Sequence, residues 1–324
     1  MASPANWAFP DALQPSPDET AFDLGAALDA AILVRTEIPE DAFTAPILGT
    51  QRVGNGVVIR EDGLVLTIGY LITEAETIWL TTNTGTVVQG HALAYDQSSG
   101  FGLVMPLGHL GAQPLARGSA ADIKADSPVI VIGHGGRAHS LKAKIVSKRE
   151  FAGYWEYVLD EALFTAPAHP QWGGAALVGE DGKLLGIGSL LVQETVGGKT
   201  VDGNMFVPID LLAPILADLL ASGRAARPPR AWLGIYIAEM EGRLVVGGLA
   251  PGGPAERAGL QLGDLVLEAG SGQVTNLASL FRRIWSCGPA GSEVPLTFSR
   301  RGATSTVRVR SADRNDFLKK PRLH

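Results

Sequence analysis

Apolar residues come in short bursts through the middle of the chain. Between Gly54 and Pro208 they form VVIR (57–60), LVLTI (64–68), TIWLTT (77–82), FGLVM (101–105), PVIVIG (128–133), KIVSK (144–148), WEYVLD (155–160), AALVG (175–179) and KLLGIGSLL (183–191). Each run is short, rich in β-branched or aromatic residues, and bounded by Gly, Asp, Asn or Pro, which predicts closely spaced strands. Asp62-Gly63 and Asp181-Gly182 each separate two apolar runs and fit tight hairpin turns. Many short strands with few long helical patterns predict an all-β barrel or sandwich. Two flanking stretches read as helical instead. Residues 21–35 space their apolar side chains at helical intervals, which reads as a short helix or a docking segment. Residues 209–221 repeat Ile209, Leu212, Ile215, Leu219 and Leu220 on one side, interrupted by Pro214.

The pattern then breaks and restarts. Residues 222–230 (SGRAARPPR) combine Gly, paired Pro and Arg, the composition of an exposed, semi-rigid linker. Strands are predicted beyond it at 232–237, 244–249, 264–268, 293–299 and 305–310. Helices are predicted at 254–259 and 276–285, the latter capped by Asn276. The resulting division is a flexible segment at 1–20, a first domain at 21–221, a linker at 222–230, a second domain at 231–312 and a polar tail at 313–324. A length of 324 residues suits about two domains.

Composition narrows the function classes. With 46% hydrophobic and 19% charged residues, the chain can build sizeable cores. A net charge of -6 without a basic block argues against a nucleic-acid partner. No apolar run reaches membrane-spanning length. The first 20 residues lack a basic start and an apolar signal-peptide core, so the expected location is cytoplasmic. Cys287 is the only cysteine, which precludes an intrachain disulfide and reads as a small apolar side chain. No His, Cys, Asp and Glu spacing suggests a metal site, and no cofactor is implied.

Four stretches, in order, resemble the HtrA/Deg family of chymotrypsin-like serine proteases: GNGVVIREDGLVLTIGYLI (54–72), DQSSGFGLV (96–104), HPQWGGAALVGEDGKLLGIG (169–188) and NMFVPID (204–210). In that family the first ends in Thr-Asn-x-His-Val, the second carries Asp-x-x-x-Asp-Leu-Ala and the third carries Pro-Gly-Asn-Ser-Gly-Gly-Pro-Leu. WLGI (232–235) and PGGPAERAGLQLGDLVLEAGSGQV (251–274) resemble the PDZ domain that such proteases carry. The resemblance implies a mainly β fold, a chymotrypsin-like double β-barrel followed by one PDZ domain.

The family's chemistry requires a serine, a histidine that takes its proton, a carboxylate that orients the histidine, and backbone N–H groups for the oxyanion. Carried over position by position, the resemblance puts the histidine on Tyr70, the aspartate on Gly100 and the serine on Trp172. An oxyanion-donating glycine falls on Pro170, which has no N–H. Loss of one serine or histidine from such a triad costs about a million-fold in turnover. The expectation is therefore a catalytically inactive homologue, a pseudoprotease that binds peptide or protein partners. The alternatives are an active serine-type endopeptidase with a non-standard site and a chaperone-like holdase.

Substitute chemistry has few candidates. The histidines are His91, His109, His134, His139, His169 and His324, and they read as loop or surface residues. Asp96 fits the family's earlier aspartate, and Ser98-Ser99 read as turn residues. Tyr70 and Trp172 either plug the old cleft or form an aromatic platform for a ligand. In the PDZ-like domain, a peptide is expected to add beside the strand that begins at Ile235. Leu233 and Gly234 N–H groups would hold its carboxylate, and Leu277 and Phe281 would line its side-chain pocket. The competing expectation is that this surface docks internally on the barrel and binds nothing from solution. Trp7, Phe9 and Phe22 resemble the aromatic N-terminal segment through which family members trimerise.

Overall fold

A computed structural model describes residues 7–320. Its contacts divide the chain into two compact units. Among the described residues the first comprises 7–149, 161–225 and 319–320; the second comprises 150–160 and 226–318.

The first unit contains two closed six-stranded barrels. One is built from β1 (Ala31–Glu37), β2 (Gln51–Val58), β3 (Val65–Ile68), β4 (Thr77–Thr81), β5 (Val87–Tyr95) and β6 (Phe101–Pro106), in the order β1-β2-β3-β6-β5-β4. The other is built from β7 (Pro128–Ile132), β8 (Ser140–Gly153), β9 (Tyr157–Ala166), β10 (Ala176–Val178), β11 (Leu184–Val196) and β12 (Lys199–Pro208), in the order β10-β11-β12-β9-β8-β7. Closure removes the exposed sheet edges that an open antiparallel sheet would present. Ile32, Val34, Val65, Leu80 and Val104 fill the first barrel; Val131, Leu141, Ile145, Leu163, Leu177 and Phe206 fill the second.

Three sequence expectations need correction here. Residues 21–35 are not one helix. Helix α1 (Leu24–Asp29) starts where the Asp23 carboxylate accepts from Ala26 N at 3.0 Å, then gives way to β1. From Ala31 onward the period is two: Ile32, Val34 and Thr36 are buried while Arg35 and Glu37 face solvent. A short helix, α2 (Ala45–Leu48), lies between β1 and β2. Residues 209–221 also split, into a 3-10 turn (Ile209–Leu211) and α3 (Leu216–Ser222), because Pro214 cannot donate the hydrogen bond that would join them. Finally, the described part of the N-terminal segment is anchored. Phe9 N donates to Ala138 O at 2.9 Å, Gln14 Nε2 donates to Phe9 O at 2.6 Å, and the Trp7 ring lies 4.4 Å from that of His139.

The second unit carries the sheet β13-β14-β15-β17-β18: β13 (Ile235–Met240), β14 (Arg243–Leu249), β15 (Leu265–Ala269), β17 (Glu293–Arg300) and β18 (Ala303–Arg310). The short β16 (Gly272–Gln273) pairs with β15. Two helices, α4 (Pro254–Arg257) and α5 (Leu277–Ser286), complete it. Asn276 caps α5 as the sequence predicts, in a reciprocal box with Ser279. Buried Asp264 takes a bidentate contact from Arg300, with Nε and Nη2 each at 2.7 Å. The polar tail is also tied down at its start, where the Phe317 ring packs 4.7 Å from Trp232.

Candidate functional site

Tyr70 sits on a 3-10 turn (Gly69–Leu71) that follows β3. Gly69 N donates to Gly100 O at 2.7 Å, and a Cβ on Gly69 would lie 2.2 Å from the Tyr95 ring. Glycine is therefore required for this close approach. The Tyr70 carbonyl accepts from Arg52 Nη1 at 2.6 Å, and the same buried guanidinium reaches Thr73 O and Thr44 Oγ1. Burial lowers the Arg52 pKa to about 10, against the opposing pull of Glu74. The Tyr70 hydroxyl donates to Ser189 O on β11 at 2.9 Å. Burial pushes that hydroxyl well above its ordinary range, while a hydrogen bond with the Trp172 side chain acts in the opposite direction. Such a phenol cannot serve as a base near neutral pH.

Trp172 belongs to a loop that Asn55 stitches to β2. Asn55 N donates to Gly173 O at 2.7 Å, and Asn55 Nδ2 donates to Gln171 O at 2.7 Å. Asn55 Oδ1 accepts from His134 N at 2.8 Å. Gly174 has φ +75°, and a Cβ there would fall 1.8 Å from Asn55 O. The Gly173-Gly174 pair thus has a packing reason to exist without any catalytic demand. Pro170 is exposed.

Tyr70 adjoins both segments: its neighbour Gly69 donates to Gly100 O, and its hydroxyl lies 2.8 Å from where a Cβ on Gly173 would stand. Asp96 is engaged elsewhere: its Oδ2 accepts from Ser99 N at 2.8 Å and from Ser99 Oγ at 2.7 Å, fixing a turn. His169 is fully buried. Its Nδ1 accepts from Gln171 N at 3.0 Å and its Nε2 lies 2.8 Å from His139 O, which assigns the proton to Nε2. Burial lowers its pKa to about 4, only partly opposed by those bonds. His169 is therefore a neutral packing residue, in a loop but not on the surface. His91 and His109 are exposed, and His324 lies outside the described residues. Among the described residues no three His, Cys, Asp or Glu side chains gather as a metal site would require.

The second unit presents a better-formed constellation. The N–H groups of Leu233, Gly234 and Ile235 converge on one point, and that point holds the carboxylate of Glu156. Gly234 N is 2.7 Å and Ile235 N 3.0 Å from Oε1, and Leu233 N is 3.0 Å from Oε2. Gly234 makes the loop possible, with φ +76° and Ala250 Cβ only 2.9 Å from where its own Cβ would stand. Glu156 is buried, and burial pushes its carboxyl up to about 7, against the downward pull of the three N–H donors and Arg314. Next to it, Ile237 N donates to Tyr154 O at 3.0 Å.

Of the predicted pocket residues, Leu277 borders a cavity of about 590 Å³ together with Tyr154, Trp155, Tyr236 and Glu239. Phe281 lies deeper, fully buried in an apolar cluster with Leu233, Ile235, Ile284 and Val158. Sequence reasoning missed Glu156, which it counted merely as part of a strand at 155–160. The available signal was an acidic residue inside the apolar run FAGYWEYVL.

Double antiparallel barrels followed by a PDZ-like sheet define the architecture of a trypsin-like peptidase joined to a PDZ domain. Residues 54–187 match the trypsin-like peptidase domain model, and 231–310 match the PDZ domain model. In this domain combination the chain is similar to HtrA-type serine endoproteases. It is 26% identical over 280 residues to the "Probable periplasmic serine endoprotease DegP-like" of Halomonas elongata, covering 82% of this chain and 58% of the relative. It is 23% identical over 265 residues to the serine endoprotease DegS of Haemophilus influenzae, covering 81% and 77%. The chain thus spans little more than half the length of the DegP-like relatives. Among solved structures, an HtrA-type protease AlgW with decapeptide aligns at TM-score 0.54 and 18% identity, covering 93% of this chain and 100% of that one. The serine endoprotease from Yersinia pestis aligns at TM-score 0.53 and 20% identity, covering 91% and 99%. The periplasmic label on the DegP-like relatives stands against the cytoplasmic expectation. No helix among the described residues is long and apolar enough to cross a membrane.

Proposed function

We propose that this chain is an HtrA-family pseudoprotease that has lost hydrolysis and acts by binding peptide or protein partners through its PDZ domain. One observation carries the reading. The three positions at which the family resemblance expects base, acid and nucleophile are Tyr70, Gly100 and Trp172, and none of them is a histidine, a carboxylate or a serine. The Tyr70 hydroxyl is spent on Ser189 O, which favours a plug over an open aromatic platform. Pro170 removes an amide that the oxyanion would need. The converging amides of Leu233, Gly234 and Ile235 supply the matching argument for carboxylate recognition.

The test is treatment of the full chain with a serine-directed fluorophosphonate probe, alongside incubation with an unfolded protein substrate. No labelling and no cleavage are expected. Stoichiometric labelling of any serine, or cleavage abolished by the probe, would establish the rival reading, an active endopeptidase, which the names of the relatives favour. Suppression of client aggregation without sequence preference would point to a holdase. Light scattering tests the trimer suggested by the N-terminal aromatics, and cell fractionation decides between cytoplasm and periplasm.

A further inference from the structure

The Leu233–Ile235 amides and the Ile237 N–H of the second unit are already engaged, by a piece of the same unit. Residues 150–160 form the tip of the β8–β9 hairpin and belong by their contacts with the PDZ sheet and α5. They satisfy three separate requirements of a docked peptide. The Glu156 carboxylate takes the three loop amides. The Tyr154 carbonyl accepts from Ile237 N on the outer edge of β13, as an added strand does. Val158 is buried in the apolar cluster formed by Leu233, Ile235, Phe281 and Ile284. Arg282 on α5 then pairs with both Glu150 and Asp160, one on each arm of the hairpin.

The backbone supports the same conclusion. Tyr154, Trp155 and Glu156 form a three-residue hairpin loop. Its last position adopts a left-handed conformation, with φ +61° at Glu156. Glycine is the usual occupant of that position. A left-handed glutamate is uncommon, and here the three loop amides hold it in that conformation.

We infer that the hairpin tip is an internal ligand, with Glu156 standing in for a chain-terminal carboxylate, and that it holds the PDZ groove shut against peptides in solution. This inference rests on the peptide-binding reading above. An incoming peptide terminus must displace Glu156 before it can use the Leu233–Ile235 amides. If the open form is under a tenth of the population, the apparent affinity is weakened by about tenfold or more.

The experiment uses the full chain and Glu156→Ala, with Glu156→Gln as a variant that keeps the side-chain size and removes one acceptor oxygen. The probe is a fluorescently labelled decapeptide ending in valine, with a free or an amidated terminus. Amide hydrogen exchange over residues 233–235 is measured in parallel. The expected result is slow exchange in the parent chain, faster exchange in both variants, and at least about tenfold tighter binding of the free-carboxylate peptide to Glu156→Ala. Equal exchange and equal affinity in parent and variants would overturn the internal ligand while leaving peptide binding intact. Faster exchange in the variants with no peptide bound by any form would sink the peptide-binding reading, and this inference with it.

Discussion

At the scale of single residues, the region around Trp172 is held by side chains that do no proton chemistry. Asn55 is the clearest case, with its two side-chain atoms tying Gln171 O and His134 N to β2. His169 is another. Its folded pKa of about 4 lies below the ordinary 6.5, so the folded barrel binds fewer protons than the unfolded chain between those values. The stability it confers is complete above about 6.5 and drains away as pH falls through the window toward 4, on the order of 3 kcal/mol in all. Denaturant midpoints at pH 7 and pH 4 check this. The drop between them should be smaller in His169→Phe than in the parent chain. Sequence reading could assign Tyr70, Gly100 and Trp172 to their positions because motif register fixes them. It read His169 as a loop or surface residue, and nothing in HPQW announces that Gln171 N and His139 O will close around the ring and bury it. Such partners come from 2 and 30 residues away, and only the folded loop brings them in.

At the scale of elements, strands were more legible than helices. β-rich runs punctuated by Asp-Gly announce hairpins locally, whereas the two misread segments, 21–35 and 209–221, fail for identifiable reasons. The first changes period at Ala31, where barrel closure demands a strand between β2 and β4. The second contains Pro214, whose missing N–H outweighs an otherwise helical spacing. Helix α5 is the opposite case, because its start is written in one residue. Asn276 Oδ1 accepts from Ser279 N at 2.8 Å, and Ser279 Oγ accepts from Asn276 N at 3.1 Å. Replacing Asn276 with Ala should cost about 1 kcal/mol. Urea unfolding followed by a probe in the second unit should show that loss, and a value near zero would mean that the cap is redundant with packing.

At the scale of the whole molecule, the chain order of two domains was readable and the membership of residues 150–160 was not. A linear reading assigns each segment to the domain on either side of it, and no local pattern reveals that a hairpin tip finds its contacts 77 residues further on. Each unit has an apolar cluster of its own, so damage should stay local. Phe281→Ala should cost the second unit about 3–5 kcal/mol. Circular dichroism cannot separate the units, but hydrogen exchange can. The β13 and β14 amides should lose protection while those of β5 and β6 keep theirs. The discontinuity of the second unit has a further consequence for anyone who handles it in pieces. During synthesis the ribosome releases Glu156 well before the loop that receives it, so the loop emerges with its occupant already waiting. A cloned fragment covering 231–310 has no such occupant, and the affinity measured on it describes an unguarded groove that the intact chain does not present.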